Sequence, residues 1–577
     1  MTSFDPSEHT DTGRTLLKNQ HKDIVVITLI LITTIIFAYL YVNFNIPPFE
    51  DAAMLMRYSE HLAQGYGIVW NKGEPPVDGA TDFLFMVVIG FLNFCGLPIE
   101  TAAKGLSVAS HFLTIAAIYI GIISLYKSSR IPAIISSLYF AFGPGLFLSA
   151  AHFGTPFFAL FITLSWIFAL RILFIRTSRL NMIAFSVLSL IAGLIRPEGV
   201  IMATLMLIAL VMMLDRLVSM RLIGYFFGIF IVFGGTYFLW RWNYFGYPLP
   251  NPFYKKGGGG IYWGSLHRSI LSTVILSYPF IAFFILGFRS EKLGKLTLSL
   301  SIPILGSTFM WVLLSDEMNF GSRFQYAILP LVLLSWVPLF ANLKQDLQLP
   351  KLSDFKPQTR LSVLAMMVFV IGAIFTEEIR RSKKITYFPD GKYDAAIILN
   401  KYAHLGYTIV ATEAGLLPLY SNWHAIDPWG LNDAWIAHNN GITEQYLDKV
   451  KPEIIMWHDY FSPFTQPSPQ RADDKWLTMV MKLKSYAEKN NYSLAAVFGD
   501  SPYNTHYYYV SSSIPEKDKI ISDIRNINYM WYTTGKKSIN YALLEYSTNS
   551  SGKAQTTQQK ISAESNESSN QDYLQKI

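Results

Sequence analysis

Long apolar runs separated by short polar loops occupy the first two thirds of the chain. Runs at 24–43, 105–126, 131–150, 155–175, 181–195, 199–214, 220–240, 269–288, 295–314, 324–341 and 361–376 each approach the roughly 20 residues that carry a helix across about 30 Å of hydrocarbon. This predicts a polytopic α-helical membrane protein with about 11 crossing helices. The runs 181–195 and 199–214 are short, which fits broken or half-crossing helices. The run Phe83–Cys95 is shorter still and fits an interfacial or re-entrant helix in a long loop over 44–104. No small-residue cleavage site follows the first run, so it reads as an anchor and not a signal peptide.

Beyond residue 377 the pattern changes period. Short apolar stretches at Tyr407–Thr412, Glu453–Trp457 and Leu494–Phe498 alternate with helical segments. That alternation predicts an extramembrane α/β domain over 377–545. Residues 546–577, rich in Ser, Asn, Gln and Lys, predict a disordered tail.

Basic residues set the expected orientation. Arg14, Lys18 and Lys22 precede the first span, and alternate loops carry Lys127/Arg130, Arg171/Arg176/Arg179, Arg216/Arg221, Arg289/Lys292/Lys295 and Lys344/Lys351/Lys356/Arg360. All share one side if 83–95 does not cross, which makes 1–23 a cytoplasmic segment and 24–376 the membrane domain. Composition agrees: 51% of the 577 residues are hydrophobic and only 15% charged, against about 25% charged in soluble domains. A soluble enzyme, a disordered chain and a fibrous protein are excluded. The +7 balance is explained by loops on one face, with no call for nucleic acid. A single cysteine, Cys95, excludes a disulfide framework or a thiolate metal cluster.

The chemistry-bearing residues gather on the opposite side. Pro47-Pro48 stops the first helix just before Glu50-Asp51, and residues 51–64 read as an amphipathic helix carrying Arg57. A carboxylate there, backed by apolar surface, becomes a stronger proton acceptor. Equally, the acidic pair could cap the helix and favour its positive dipole end. Arg196-Pro197-Glu198-Gly199 places opposite charges near membrane depth, as a functional pair or as a structural one locking a corner. Arg241–Lys256 mixes aromatics, prolines and the Lys255-Lys256 pair, which suits an aromatic belt or a phosphate site. The glycines at 257–260 suit a gate or an unfixed loop. Asp316-Glu317-Met318-Asn319 precedes Gly321-Ser322-Arg323, and His152 stands alone in an apolar turn.

Residues 50–84, EDAAMLMRYSEHLAQGYGIVWNKGEPPVDGATDFL, resemble the first-loop motif of polytopic GT-C glycosyltransferases, specifically the AftB-type arabinofuranosyltransferases and related LphB-type bacterial proteins. RPEG at 196–199, YFGYPLPNPFYKK at 244–256, DEMNFGSRFQYAILPL at 316–331 and EAGLLPLYSNWHAIDPWGLNDAWIAH at 413–438 match in the same order. Two departures stand out. Glu50-Asp51 replaces a pair of aspartates, and His152-Phe153-Gly154-Thr155 stands where the family tends to have Gly-x-Glu-Thr.

The resemblance implies a GT-C-like, inverting glycosyltransferase of the bacterial inner membrane, its active site facing the periplasm. It would move a sugar from a polyprenyl-phosphate donor to a cell-envelope glycan or lipid acceptor. Such a reaction needs one carboxylate base for the acceptor hydroxyl, and phosphate leaves without an acid partner. Asp51 is the candidate base, with Glu50 as second acidic member; the two could also hold a divalent metal, though no metal is assigned. Arg57, Arg196, Glu198, Asn251, Lys255, Asp316 and Arg323 are candidates for donor phosphate and sugar, and His152, Asp427, Asn432 and Asp433 for acceptor contact. The competing readings are a flippase or transporter for lipid-linked glycans, and a non-catalytic accessory protein.

Overall fold

The computed structural model describes residues 7–126, 130–256, 260–316, 318–346, 389–467 and 474–544, with scattered positions between 356 and 380. Seven positions of the expected span 361–376, the glycines 257–259 and the tail 546–577 lie outside the described residues. The chain forms two compact units, Met1–Tyr387 and Phe388–Ile577, so the first runs past the 376/377 boundary expected from composition.

Unit 1 is helical: α1 Ser7–Tyr41, α2 Glu50–Ala63, α3 Phe83–Phe94, α4 Ile99–Leu125, α5 Arg130–Ala141, α6 Gly145–Ala150, α7 Thr155–Phe174, α8 Arg179–Ile195, α9 Glu198–Val211, α10 Arg216–Ile229, α11 Gly235–Phe245, α12 Asn251–Lys256, α13 Trp263–Arg289, α14 Gly294–Phe309 and α15 Ile328–Asp346. Among the described residues six helical stretches are long and apolar enough to cross a membrane, and shorter apolar helices lie between them. The chain is a multi-pass membrane protein.

Local sequence explains the departures from the expected spans. The run 131–150 is not one helix but two, α5 and α6, because Gly143-Pro144 removes a backbone donor where the helix would continue. α10 and α11 instead run on as one element through a π-helical turn at Phe230–Gly234. The short runs become α8 and α9, which meet at a corner that only glycine fits. A Cβ on Gly199 would lie 2.4 Å from the Ala192 carbonyl oxygen. The run after Asp82 becomes the 12-residue α3, which packs on α2, where Ser59 Oγ donates to the Met86 carbonyl at 2.9 Å.

Unit 2 holds the strands β1 Thr408–Ala411, β2 His424–Ile426, β3 Ile454–Asp459, β4 Tyr492–Ser501, β5 Asn504–Ser511 and β6 Ile539–Asn540 in one sheet of order β2-β1-β3-β5-β4-β6. β1 pairs in parallel with β2 and β3; β3, β5, β4 and β6 pair antiparallel. Helices including Gly391–Asn400, Asp474–Lys489 and Lys517–Arg525 accompany the sheet. Its core, with Val410, Ile455, Trp457, Leu483 and Val497 fully buried, belongs to this unit alone. The three apolar stretches read from sequence are β1, β3 and β4.

Candidate active site

The start of α2 is gripped by aromatic rings. Phe49, its N-cap residue, packs against Phe147, Phe153 and Phe320 at centroid distances of 5.5, 5.7 and 5.4 Å, and its N–H donates to the Ala151 carbonyl. Three segments distant in sequence (the first loop, the turn at 150–155 and the loop at 316–326) therefore meet around Glu50 and Asp51. Those carboxylates begin the helix, where its unpaired N–H groups favour negative charge.

Asp51 forms an ion pair with Arg323. Its side chain keeps 31% of its surface exposed, whereas that of Arg323 keeps 7%. The guanidinium lies over Phe153 at 4.4 Å and Phe324 at 4.9 Å, and its Nε is buried without a hydrogen-bond partner. Arg323 thus keeps one buried donor unspent beside the accessible carboxylate. Its loop is braced from behind: Asn319 Oδ1 accepts from the Phe324 N–H, Asn319 Nδ2 donates to Gln325, Gln325 Nε2 donates to Ser269 of α13, and Trp311 stacks on Phe324 at 4.5 Å.

A second charged group adjoins the first. Arg196 pairs with Asp82 at 3.0 Å and Glu198 at 3.2 Å and lies 5.5 Å from the Phe324 ring centre, so both guanidiniums contact the same aromatic ring. Burial pushes the Asp82 carboxyl up and Arg196 pulls it down, with Glu198, Arg323 and Asp51 all close enough to act on it. The group holds three carboxylates against two guanidiniums in largely buried surroundings. Gly154 lets the turn approach, since a Cβ there would meet Asp82 Oδ2 at 2.9 Å and the Phe85 ring at 2.8 Å.

Within unit 1 the structure therefore unites Asp51, Arg196, Glu198 and Arg323, with Glu50 directly before Asp51, but not Arg57, Asn251, Lys255 or Asp316. Arg57 turns into its own loop, donating to the Trp70 carbonyl at 2.9 Å and to Asn71 Oδ1 at 3.0 Å, so it shapes the loop where a phosphate ligand was expected. Asp316 pairs with Arg268 at 2.5 Å and not with Arg323, as a brace between its loop and α13. Asn251 gives its N–H to the Asp78 carbonyl, and Lys255 follows, half-buried, on α12. Asp78 itself holds Arg241 at 2.5 and 2.6 Å, pinning the first loop to α11; burial raises its carboxyl against that pull. His152 is buried at φ 66° with both ring nitrogens lacking a partner. In unit 2, Asp427 accepts from the N–H groups of Trp429, Gly430 and Asn432, while Asp433 caps a short helix through the Ile436 N–H. Both build the turn that carries them.

Asp82, Asp78, Arg241 and Arg268 were not singled out from sequence. Asp82 had one signal, an acid standing directly before an apolar run; its partner is 114 positions away in sequence and invisible to spacing. Among the described residues, Glu50 and Asp51 do not belong to a group of three carboxylates or imidazoles whose ligand atoms all lie within 4.8 Å of one another.

Comparison with known proteins bears on the architecture. The crystal structure of ArnT from Cupriavidus metallidurans bound to undecaprenyl phosphate superposes with a TM-score of 0.53 at 12% identity, covering 84% of this chain and 98% of that one. Its apo form gives the same score at 13% identity. This chain has the GT-C fold. An Archaeoglobus fulgidus oligosaccharyltransferase tethered to an acceptor peptide aligns at a TM-score of 0.49 and 11% identity, over 90% of this chain and 76% of its own. Residues 378–512 match a family described only as a domain of unknown function, DUF8728. No curated protein is similar enough in sequence to count as a relative.

Proposed function

We propose that this chain is an inverting glycosyltransferase that takes a sugar from a polyprenyl-phosphate donor and gives it to a glycan or lipid acceptor of the bacterial envelope, on the outer face of the inner membrane. The observation that carries the reading is the Asp51–Arg323 pair, an accessible carboxylate facing a buried guanidinium with Nε unspent. The ArnT fold, crystallised in that protein with undecaprenyl phosphate, and the first-loop likeness to AftB- and LphB-type enzymes point the same way.

In the resting pair each ion holds the other. An incoming donor phosphate competes for Arg323, whose planar fork suits phosphate oxygens. That exchange frees the Asp51 carboxylate. An acceptor hydroxyl then gives its proton to Asp51 as its oxygen attacks the anomeric carbon. The bond from that carbon to the phosphate oxygen breaks with its electron pair going to phosphate, and Arg323 faces the charge that develops. One displacement inverts the anomeric centre. Asp82, Arg196 and Glu198 act from behind, fixing the Phe324 ring and the field around it.

The test is transfer by the purified full-length chain in nanodiscs, given a panel of labelled polyprenyl-phosphate sugars and envelope acceptor. Asp51→Asn is expected to lower transfer by about 100-fold or more, beyond what the lower thermal midpoint that follows from leaving the buried Arg323 without its carboxylate explains. A normal rate in that variant removes Asp51 as base. Label crossing a vesicle bilayer with no sugar transferred makes the chain a carrier instead.

A further inference from the structure

Glu413, His458 and His506, all in unit 2, bring ligand-capable atoms within 4.8 Å of one another. The two histidines are directly opposite residues on the antiparallel strands β3 and β5, so they share one face of the sheet, and their rings stand 4.9 Å apart at 82°. Glu413 reaches that face from the segment after β1.

The hydrogen bonds around these side chains turn one ligand-capable atom of each toward the others. His458 Nε2 lies 2.8 Å from Asn504 Oδ1, while the Asn504 amide nitrogen donates to Asp500. An amide oxygen only accepts, so Nε2 carries the proton and Nδ1 is turned to Glu413 Oε1 at 3.5 Å. That spacing is close to the edge of a tetrahedron of ligands placed about 2.0–2.1 Å from zinc. His506 uses Nδ1 on the Tyr529 hydroxyl at 2.7 Å, and its Nε2 is buried with no partner. Lys392 Nζ donates to the second oxygen of Glu413 at 2.7 Å, orienting the first. Every candidate ligand is thus held from outside by a polar neighbour, the arrangement that steers ligands in metal sites.

We propose that Glu413, His458 and His506 bind one divalent first-row metal ion, zinc by ligand type, through Oε1, Nδ1 and Nε2. The half-buried His458 side leaves the fourth position to water. The ion ties β3, β5 and the segment after β1 together and so fixes the middle of the sheet.

The full-length chain, purified with a tag free of histidine and incubated with zinc sulfate, should carry one zinc per chain by mass spectrometry after desalting. His458→Gln and His506→Gln should each lose it. Because either variant could misfold, the unaltered chain is also stripped with chelator and given cobalt(II). The visible ligand-field bands of tetrahedral cobalt should then appear, and zinc should abolish them. Absence of both bound zinc and cobalt bands overturns the proposal in favour of a proton shared by His458 and Glu413. Cobalt bands that persist in both histidine variants overturn it too.

Discussion

Arg323 is asked to do two things that a lysine cannot do together. Its guanidinium stacks between Phe153 and Phe324 while reaching Asp51, and a planar delocalised cation suits both contacts. Arg323→Lys keeps the charge and loses the fork. It should weaken donor-dependent kcat/KM by about 10- to 100-fold, the worth of one charge-assisted hydrogen bond, mainly through a higher donor KM. Steady-state kinetics against donor concentration measures this, and an unchanged KM would remove Arg323 from phosphate binding. Asp51, Arg196, Glu198 and Arg323 were all legible as candidates, because ionisable residues beside apolar runs are rare enough to be conspicuous. Arg57 was equally conspicuous, but its Trp70 and Asn71 partners lie in a loop whose path no periodicity encodes.

At the scale of elements, the site depends on corners more than on helices. Gly199→Ala would drive a Cβ into the Ala192 carbonyl, which is backbone and has little room to yield. The expected cost is about 1–3 kcal/mol, read as a lower thermal midpoint, with activity falling as the Arg196 corner opens. A variant as stable and active as the parent would show that the corner flexes. Asp78→Asn should release the first loop from Arg241 and leave a buried guanidinium without its carboxylate, a loss of about 3–5 kcal/mol. Limited proteolysis within residues 65–80 should report it, and unchanged cleavage would show the loop held elsewhere. Most helices were legible from hydropathy, since a membrane span needs an apolar run. The break at Gly143-Pro144 was missed because both flanks are equally apolar, so only backbone chemistry marks it. The π-helical turn at Phe230–Gly234 left no sequence signal at all.

For the whole molecule, the division into two units carries its own prediction. Unit 2 has a complete sheet and a buried core of its own, so residues 388–544 expressed alone should unfold in one cooperative transition by circular dichroism. A chain without such a transition would make its core dependent on the membrane unit. The α/β character of this unit was legible from alternating apolar stretches, whereas β2 and β6, of three and two residues, are too short to leave a pattern. The pairing of Asp51 with Arg323 joins positions 272 residues apart. A ribosome therefore emits the carboxylate long before its counter-ion, and a chain cut short before residue 323 holds an acid whose guanidinium partner has not yet been made.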